Sequence, residues 1–203
     1  MEQLSEEWFA ARLGKLTASR VSDALARTKT GWGAGRANYA AELVAERLTG
    51  VRADRYVNDA MRFGTENEAL ARAAYSFYAD ADVCLIGFFD HPDIPMSGAS
   101  PDGLVLDDGL VEIKVPNTAT HIDTLLRDVI PSQYVQQMQW QMACTGRQWC
   151  DFTSFDPRLP ENMRLFVKRL ERDDKLIREL ECEVAIFLDE VAATVERLER
   201  RAA

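Results

Sequence analysis

Residues 100–116 restrict the fold of this chain more than any other segment. Their sequence, SPDGLVLDDGLVEIKVP, contains two short apolar runs separated by Asp-Asp-Gly, which is typical of a tight β-hairpin turn. Because side chains alternate along a strand, the second run directs its apolar residues to one face and Glu112 and Lys114 to the other. Asp102 lies just before the partner strand, so the hairpin returns its carboxylate to the neighbourhood of Glu112. The segment therefore predicts two carboxylates and an ammonium on one hairpin.

This group of side chains predicts metal-assisted phosphodiester hydrolysis. Two neighbouring carboxylates repel each other, which raises a pKa unless a cation lies between them. Mg²⁺ prefers hard oxygen ligands, often one or two carboxylates with phosphate and water, and it activates both a phosphodiester and water. Lys114 would orient the attacking water or stabilise the developing charge. Taken alone, Glu-x-Lys also fits an exposed, salt-bridged strand face, and Pro-Asp-Gly fits an ordinary turn.

The remaining hydrophobic pattern predicts a central mixed sheet flanked by helices, an α/β fold. Helices are expected at residues 4–14, 17–25, 38–48, 61–78 and 132–145, and further strands at 83–90, 149–155 and 163–170. Residues 28–35 have the composition of a flexible loop. Over residues 173–201, apolar side chains recur in steps of three and four, which predicts a long helix packed on the sheet; a coiled coil or a membrane-surface helix are the alternatives. We find no repeat or linker, so one domain is expected over residues 1–203.

Composition narrows the class of protein. The chain has 203 residues, 47% of them hydrophobic, and its 24 basic against 33 acidic side chains give a net charge of −9, which argues against a non-specific nucleic-acid coat. The first residues, MEQLSEEW, are acidic and polar, and no apolar run approaches the length of a membrane span. We therefore expect a cytoplasmic protein without membrane association. Its four cysteines contain no close pair and are expected to be reduced, mostly buried thiols.

Five motifs follow one another along the chain. They are WxxxRxGxLTAS from Trp8, GxxxExxARxxY from Gly64, SPDGL from Ser100, EIK from Glu112 and YxxQxQxxM from Tyr134. The Pro-Asp and Glu-x-Lys pair has the arrangement of PD-(D/E)xK nucleases. With the other motifs, the chain resembles the phage lambda exonuclease family, also called YqaJ-like viral recombinases, over nearly its full length.

The resemblance implies a restriction-endonuclease-like core and a Mg²⁺-dependent 5′→3′ exonuclease, with Mn²⁺ able to substitute. Such an enzyme acts on double-stranded DNA ends and leaves 3′ single-stranded DNA for recombination. The implied metal ligands are Glu68 on a helix, Asp102 and Glu112, and these three with Lys114 are the implied catalytic residues. The implied binding residues for the 5′ phosphate are Arg12, Ser19 and Gln137.

The family has one further acidic position, for which Asp90 and Asp93 are both candidates. The resemblance also implies a ring-shaped homotrimer and a single-strand annealing protein as partner. Two other functions stay open at this point. One is a nuclease of the same fold that cuts internally or at branches and flaps, and the other is a non-catalytic DNA-binding recombination protein.

Overall fold

The computed structural model describes residues 2–29, 31–53 and 58–202. Within them, the α-helices are α1 (Glu6–Arg12), α2 (Val21–Ala24), α3 (Ala34–Thr49), α4 (Asp59–Ala79), α5 (Thr118–Arg127), α6 (Ser132–Thr145) and α7 (Asp174–Ala202). The strands are β1 (Leu16–Thr17), β2 (Arg27–Thr28), β3 (Gly31–Trp32), β4 (Val83–Cys84), β5 (Phe89–Asp90), β6 (Ser97–Ala99), β7 (Gly103–Val105), β8 (Gly109–Lys114), β9 (Trp149–Phe155) and β10 (Leu165–Glu171). Short 3-10 turns cover Ala18–Arg20 and Glu161–Met163.

Strand β8 is the middle strand of a five-stranded sheet with the order β10-β9-β8-β7-β4. β8 and β9 run parallel, and the other neighbours are antiparallel. Strands β1, β6 and β5 form a separate three-stranded sheet, and β2 pairs with β3. The predicted fold class, a mixed sheet flanked by helices, is confirmed.

The predicted hairpin forms between β7 and β8, with Leu104 opposite Leu110 and Val105 opposite Gly109. The glycine of the Asp-Asp-Gly turn has a second role, because a Cβ at Gly109 would lie 2.1 Å from the ring of Trp149. Only glycine lets the indole pack against the start of β8. The hairpin is therefore fixed by packing across the sheet as well as by its turn.

Helices cover both faces of β8. On one face, Val111 and Ile113 belong to a buried cluster with Tyr75 of α4. On the other, Leu110 packs in a cluster with Met138 of α6. Glu112 and Lys114 therefore point to the face that carries α6, as the alternation of β8 predicts.

The long C-terminal helix α7 forms as predicted but packs mainly on α2, α3 and α6 rather than on the sheet. Its Val184 and Phe187 are fully buried in a cluster that contains Tyr39 of α3 and Trp140 of α6. Because α6 already occupies this face of the sheet, α7 forms an outer layer. The expected packing on the sheet was wrong for most of the helix.

Several short segments differ from their predictions. The expected strand at 83–90 is two separate strands, β4 and β5, in different sheets. The expected helix at 17–25 is a 3-10 turn followed by the four-residue α2. Residues 28–35, expected to be a loop, contribute to the β2–β3 pair and to the start of α3; Thr30 lies outside the described residues. Helix α5 was not predicted.

Two further expectations can be compared with the structure. None of the described helices is both long and apolar enough to cross a membrane. All four cysteines are free thiols, but only Cys144 and Cys150 are buried, whereas Cys84 and Cys182 are exposed.

A buried carboxylate connects α4 to the sheet. Asp151 of β9 accepts a hydrogen bond from the Tyr75 hydroxyl at 2.8 Å and two from the Arg169 guanidinium at 2.8 and 3.0 Å. Burial, together with the bond to Asp151, raises the pKa of Tyr75, so its hydroxyl stays protonated. Tyr75 is two turns beyond Glu68, so this contact fixes the helix that carries the predicted third acid.

Replacing Tyr75 with Phe keeps the ring but removes one donor to buried Asp151. We expect the free energy of unfolding in urea to fall by about 1–3 kcal/mol, because a buried acceptor loses a partner. Tyr78→Phe is the matched control on the same helix, since Tyr78 is 64% exposed; it should change stability by less than about 0.5 kcal/mol. Equal decreases in the free energy of unfolding of the two variants would show that the Tyr75–Asp151 bond does not stabilise the fold.

Candidate active site

The β7–β8 hairpin places the first predicted acid beside the second. The Asp102 carboxylate accepts a hydrogen bond from the backbone N–H of Ile113 at 2.6 Å, next to Glu112. The Lys114 ammonium forms an ion pair with Glu112, and its Nζ lies 5.1 Å from the centre of the Tyr134 ring. Asp102, Glu112 and Lys114 therefore form one cluster, as the sequence predicts.

The Glu112 carboxylate is enclosed by hydrogen-bond donors. Its side chain is 1% exposed. Gln137 Nε2 donates to Oε1 at 2.6 Å, and Gln141 Nε2 donates to Oε2 at 2.6 Å. Both glutamines belong to α6, and Lys114 adds the only charged donor recorded at this carboxylate within the described residues. Buried carboxylates require such partners because desolvation penalises their charge.

The cluster has more negative than positive charge. Burial and the neighbouring Glu112 carboxylate raise the pKa of Asp102 well above its ordinary value, and Glu68 adds to the increase. Burial alone would lower the pKa of Lys114, but the carboxylates of Glu112 and Asp102 raise it above its ordinary value. Lys114 is therefore an ammonium at neutral pH, and the two acids would accommodate further positive charge.

Glu68 lies close enough to influence Asp102 but faces another partner. Its Oε1 accepts a hydrogen bond from Arg72 NH2 at 2.8 Å, one turn later on α4, and its side chain is 39% exposed. Within residues 2–29, 31–53 and 58–202, no three Asp, Glu, His or Cys side chains are grouped closely enough to hold a metal ion. The structure thus brings together Asp102 and Glu112 but not Glu68 as a third ligand.

The proposed phosphate residue Arg12 lies beside the same hairpin. Arg12 NH1 and Trp8 Nε1 both donate to the Ser100 hydroxyl at 2.9 Å, and the guanidinium stacks 4.0 Å from the centre of the Trp8 ring. Ser100 is two residues before Asp102. One hydroxyl therefore connects the α1 end of the site to the first carboxylate.

Ser19 and Gln137 come from neighbouring elements. Ser19 is exposed in the 3-10 turn Ala18–Arg20, which packs against α6. Its Oγ lies 3.5 Å from Thr17 Oγ1. Gln137 on α6 contacts Glu112 directly, so one predicted phosphate residue already belongs to the carboxylate cluster.

The two candidates for a further acid lie elsewhere. Asp90 accepts a hydrogen bond from Lys15 Nζ at 2.6 Å in the three-stranded sheet. The backbone N–H of Asp93 donates to His91 Nδ1 at 3.2 Å. In the described part of the chain, neither residue has a recorded contact with the hairpin carboxylates.

Two contacts of the site were missed by sequence reasoning. Ser100 was seen only as part of a motif, although its hydroxyl orders Arg12. The sequence analysis assigns no role to Gln141, although this residue is fully buried and bonded to Glu112. The available signal for Gln141 was its spacing of four residues from Gln137, which places both side chains on one face of a helix.

Comparison with known proteins identifies a domain family and solved structures that this chain resembles. The family model called YqaJ-like viral recombinase domain matches residues 7–148 of this chain. No match was found among curated proteins. An alkaline exonuclease from Laribacter hongkongensis is 55% identical, with 98% of each chain covered and a TM-score of 0.91. The same exonuclease in complex with dAMP gives a TM-score of 0.92 at the same identity and coverage.

A phage-related exonuclease from Haemophilus somnus is 13% identical, with 91% of this chain and 96% of that chain covered and a TM-score of 0.75, which shows a shared fold. The domain match covers well over half of the chain and contains all five motifs. The resemblance predicted from the sequence is therefore confirmed, and the chain belongs to the YqaJ-like viral recombinase family.

Proposed function

We propose that this chain is a Mg²⁺-dependent exonuclease that degrades the 5′-terminated strand of a double-stranded DNA end and leaves a 3′ single strand for recombination. The observation that carries the proposal is the cluster of Asp102, Glu112 and Lys114 beside Arg12. The 55% identical relative is named an alkaline exonuclease, and it was crystallised with dAMP, a nucleotide of the kind that stepwise DNA hydrolysis releases.

The donor set of the hairpin fits Mg²⁺. Asp102 and Glu112 supply carboxylate oxygens, the ligands that this ion prefers. Burial, and after it the charge of Glu112, raises the pKa of Asp102, so a cation between the two carboxylates would be favourable. Glu68 is the proposed third ligand. The chemistry that Mg²⁺, or Mn²⁺ in its place, supplies when bound is Lewis-acid activation of the phosphodiester and of the attacking water.

The chain's own side chains would perform the remaining tasks. Lys114, held as an ammonium by its carboxylate neighbours, stabilises the negative charge that develops on the scissile phosphate. Arg12 provides a guanidinium fork for the terminal 5′ phosphate, since this geometry matches phosphate oxygens in pairs. Ser19 and Gln137 add a hydroxyl and an amide from elements that pack together. Recognition of a terminal phosphate favours an exonuclease over an enzyme that cuts internally.

Family membership supports three further proposals. The chain would act as a ring-shaped homotrimer around DNA, together with a single-strand annealing protein, in the cytoplasm. Residues 11–55 contain nine basic and four acidic side chains, so contact with DNA through this part of the chain is compatible with the net charge of −9.

The proposed activity is tested with three DNA substrates in the presence of Mg²⁺ or EDTA. We expect Mg²⁺-dependent loss of linear duplex with 5′-phosphate ends, slower loss with 5′-hydroxyl ends and an intact closed circle, measured on gels. Strand-specific end labels should show that the 5′-terminated strand disappears first. Cutting of the circle would indicate an endonuclease, and DNA binding without any loss in Mg²⁺ or Mn²⁺ would indicate a non-catalytic recombination protein.

Lys114→Ala is expected to reduce hydrolysis by roughly 10²-fold or more, because it removes a preorganised charge at the reacting phosphate. DNA binding, measured by fluorescence anisotropy, should remain. Lys175→Ala is the matched control, since the Lys175 side chain is 83% exposed on α7. Hydrolysis by Lys114→Ala at the rate of this control would contradict the proposed role.

Arg12→Ala is expected to slow digestion of 5′-phosphorylated ends by on the order of tenfold to a hundredfold, since a hydrogen bond to a charged group contributes about 1.5–3 kcal/mol. Digestion of 5′-hydroxyl ends should change much less. Arg200→Ala, at the exposed end of α7, is the control. An equal decrease on both kinds of end would assign Arg12 a structural role instead of phosphate binding.

A further inference from the structure

Helix α6 carries five glutamines, and three of them, at positions 137, 139 and 141, make hydrogen bonds inside the protein. Gln137 and Gln141 bond to Glu112, while Gln139 bonds to the backbone of the segment that joins β10 to α7. Positions four residues apart share a helix face, whereas a position two residues away lies nearly opposite. The helix therefore presents two amides to the carboxylate and a third amide away from it.

The two amides at Glu112 differ in what else they can reach. Gln137 is half-buried, and in the proposed function it also binds the 5′ phosphate of DNA. Gln141 is 0% exposed, so its amide acts only on groups inside the protein. Its Nε2 donates to Glu112 Oε2 at 2.6 Å, and its Oε1 lies 4.0 Å from the thiol of Cys150, which is placed to donate to it.

We propose that Gln141 is a positioning residue that fixes the orientation of the Glu112 carboxylate for binding a divalent cation. This inference rests on the proposed function, in which Glu112 is a metal ligand. Gln141 does not touch DNA or the reacting phosphate; it acts through Glu112 alone.

The contacts of Glu112 explain why a neutral amide is needed at this position. Lys114 and Gln137 both engage Oε1, so the carboxylate could still turn about its last side-chain bond if Oε2 had no partner. The bond from Gln141 fixes Oε2 and therefore the plane of the group. A cationic side chain would fix the plane but repel a metal ion, and an apolar side chain would leave a buried charged oxygen unsatisfied.

Residues behind a metal ligand are known to matter for the ligand's geometry. Loss of such a partner typically weakens metal affinity or activity by roughly 10–100-fold. We therefore expect Gln141→Met, which keeps the volume but removes the donor, to weaken Mn²⁺ binding by about that factor. The measurement is isothermal titration calorimetry of the full chain with Mn²⁺ in the absence of DNA, so it does not depend on turnover.

Gln139→Met is the matched control. Gln139 is on the same helix, is 1% exposed and makes two hydrogen bonds, to the Glu171 carbonyl at 2.8 Å and from the Asp173 N–H at 3.0 Å. Loss of a buried amide should destabilise both variants, but only Gln141→Met should change Mn²⁺ affinity. With DNA and Mg²⁺, Gln141→Met should raise the Mg²⁺ concentration for half-maximal activity and leave the KM for DNA nearly unchanged.

A double-variant cycle shows whether Gln141 acts through Glu112. In a Glu112→Gln background, Gln141→Met should cause no further loss of Mn²⁺ affinity, because the carboxylate that it orients is gone. If Gln141→Met does not fold, Gln141→Asn gives the same test, since it keeps an amide that is one methylene too short to reach Glu112.

The outcomes separate this inference from the proposed function. Absence of Mn²⁺ binding by the unmodified chain would overturn the metal site itself. Mn²⁺ binding by the unmodified chain, with equal affinity in Gln141→Met or Gln141→Asn, would overturn the inference alone. Equal losses in Gln141→Met and Gln139→Met would also overturn it, because they would show a general effect of stability.

Discussion

The burial of one carboxylate, that of Glu112, governs how the rest of the site is arranged. A carboxylate inside a sheet is tolerated only with full compensation by donors and charge. Lys114 provides the charge from the same strand, and α6 provides two amides from the layer above. This requirement fixes the register of β8 and the rotation of α6 together. The sheet and the helix therefore define the site before any ligand is bound.

In the proposed function, the residue that binds the DNA end is connected to this cluster through the hydroxyl of Ser100. Ser100 accepts hydrogen bonds from Trp8 and Arg12 and is followed two residues later by Asp102. The side chain that holds the guanidinium is thus three residues before the start of β7. In the proposed function, the bond to Ser100 positions the Arg12 guanidinium, which binds the terminal phosphate, relative to the carboxylates. A DNA end bound in this way would be cleaved in preference to internal sites.

The sequence predicted the parts of the structure that carry a strong local pattern. The hairpin followed from alternation and turn chemistry, and the bounds of α6 and β9 were confirmed. Helix α5 is capped at its start by Asn117, whose side chain accepts from the Thr120 N–H. It was missed because its buried residues, His121 and Thr124, are polar and do not mark an inner face as apolar residues do. The partners of Gln141 and the packing of α7 depend on how α6 packs against distant parts of the chain. Local sequence patterns do not predict such tertiary contacts.

Glu68 shows why the third ligand is the hardest part of the site to predict. Glu68 forms a partly exposed ion pair with Arg72, one helical turn later on α4. Ion pairs of this kind stabilise a helix by only about 0.3–0.5 kcal/mol. The contacts of Glu112, by contrast, are buried and are lost only with a large desolvation cost. In the proposed function, the hairpin half of the metal site is therefore preformed, whereas Glu68 exchanges a weak local partner for the ion. The Tyr75–Asp151 bond holds α4 against the sheet two turns after Glu68, so Glu68 would reach the ion with little movement of the helix.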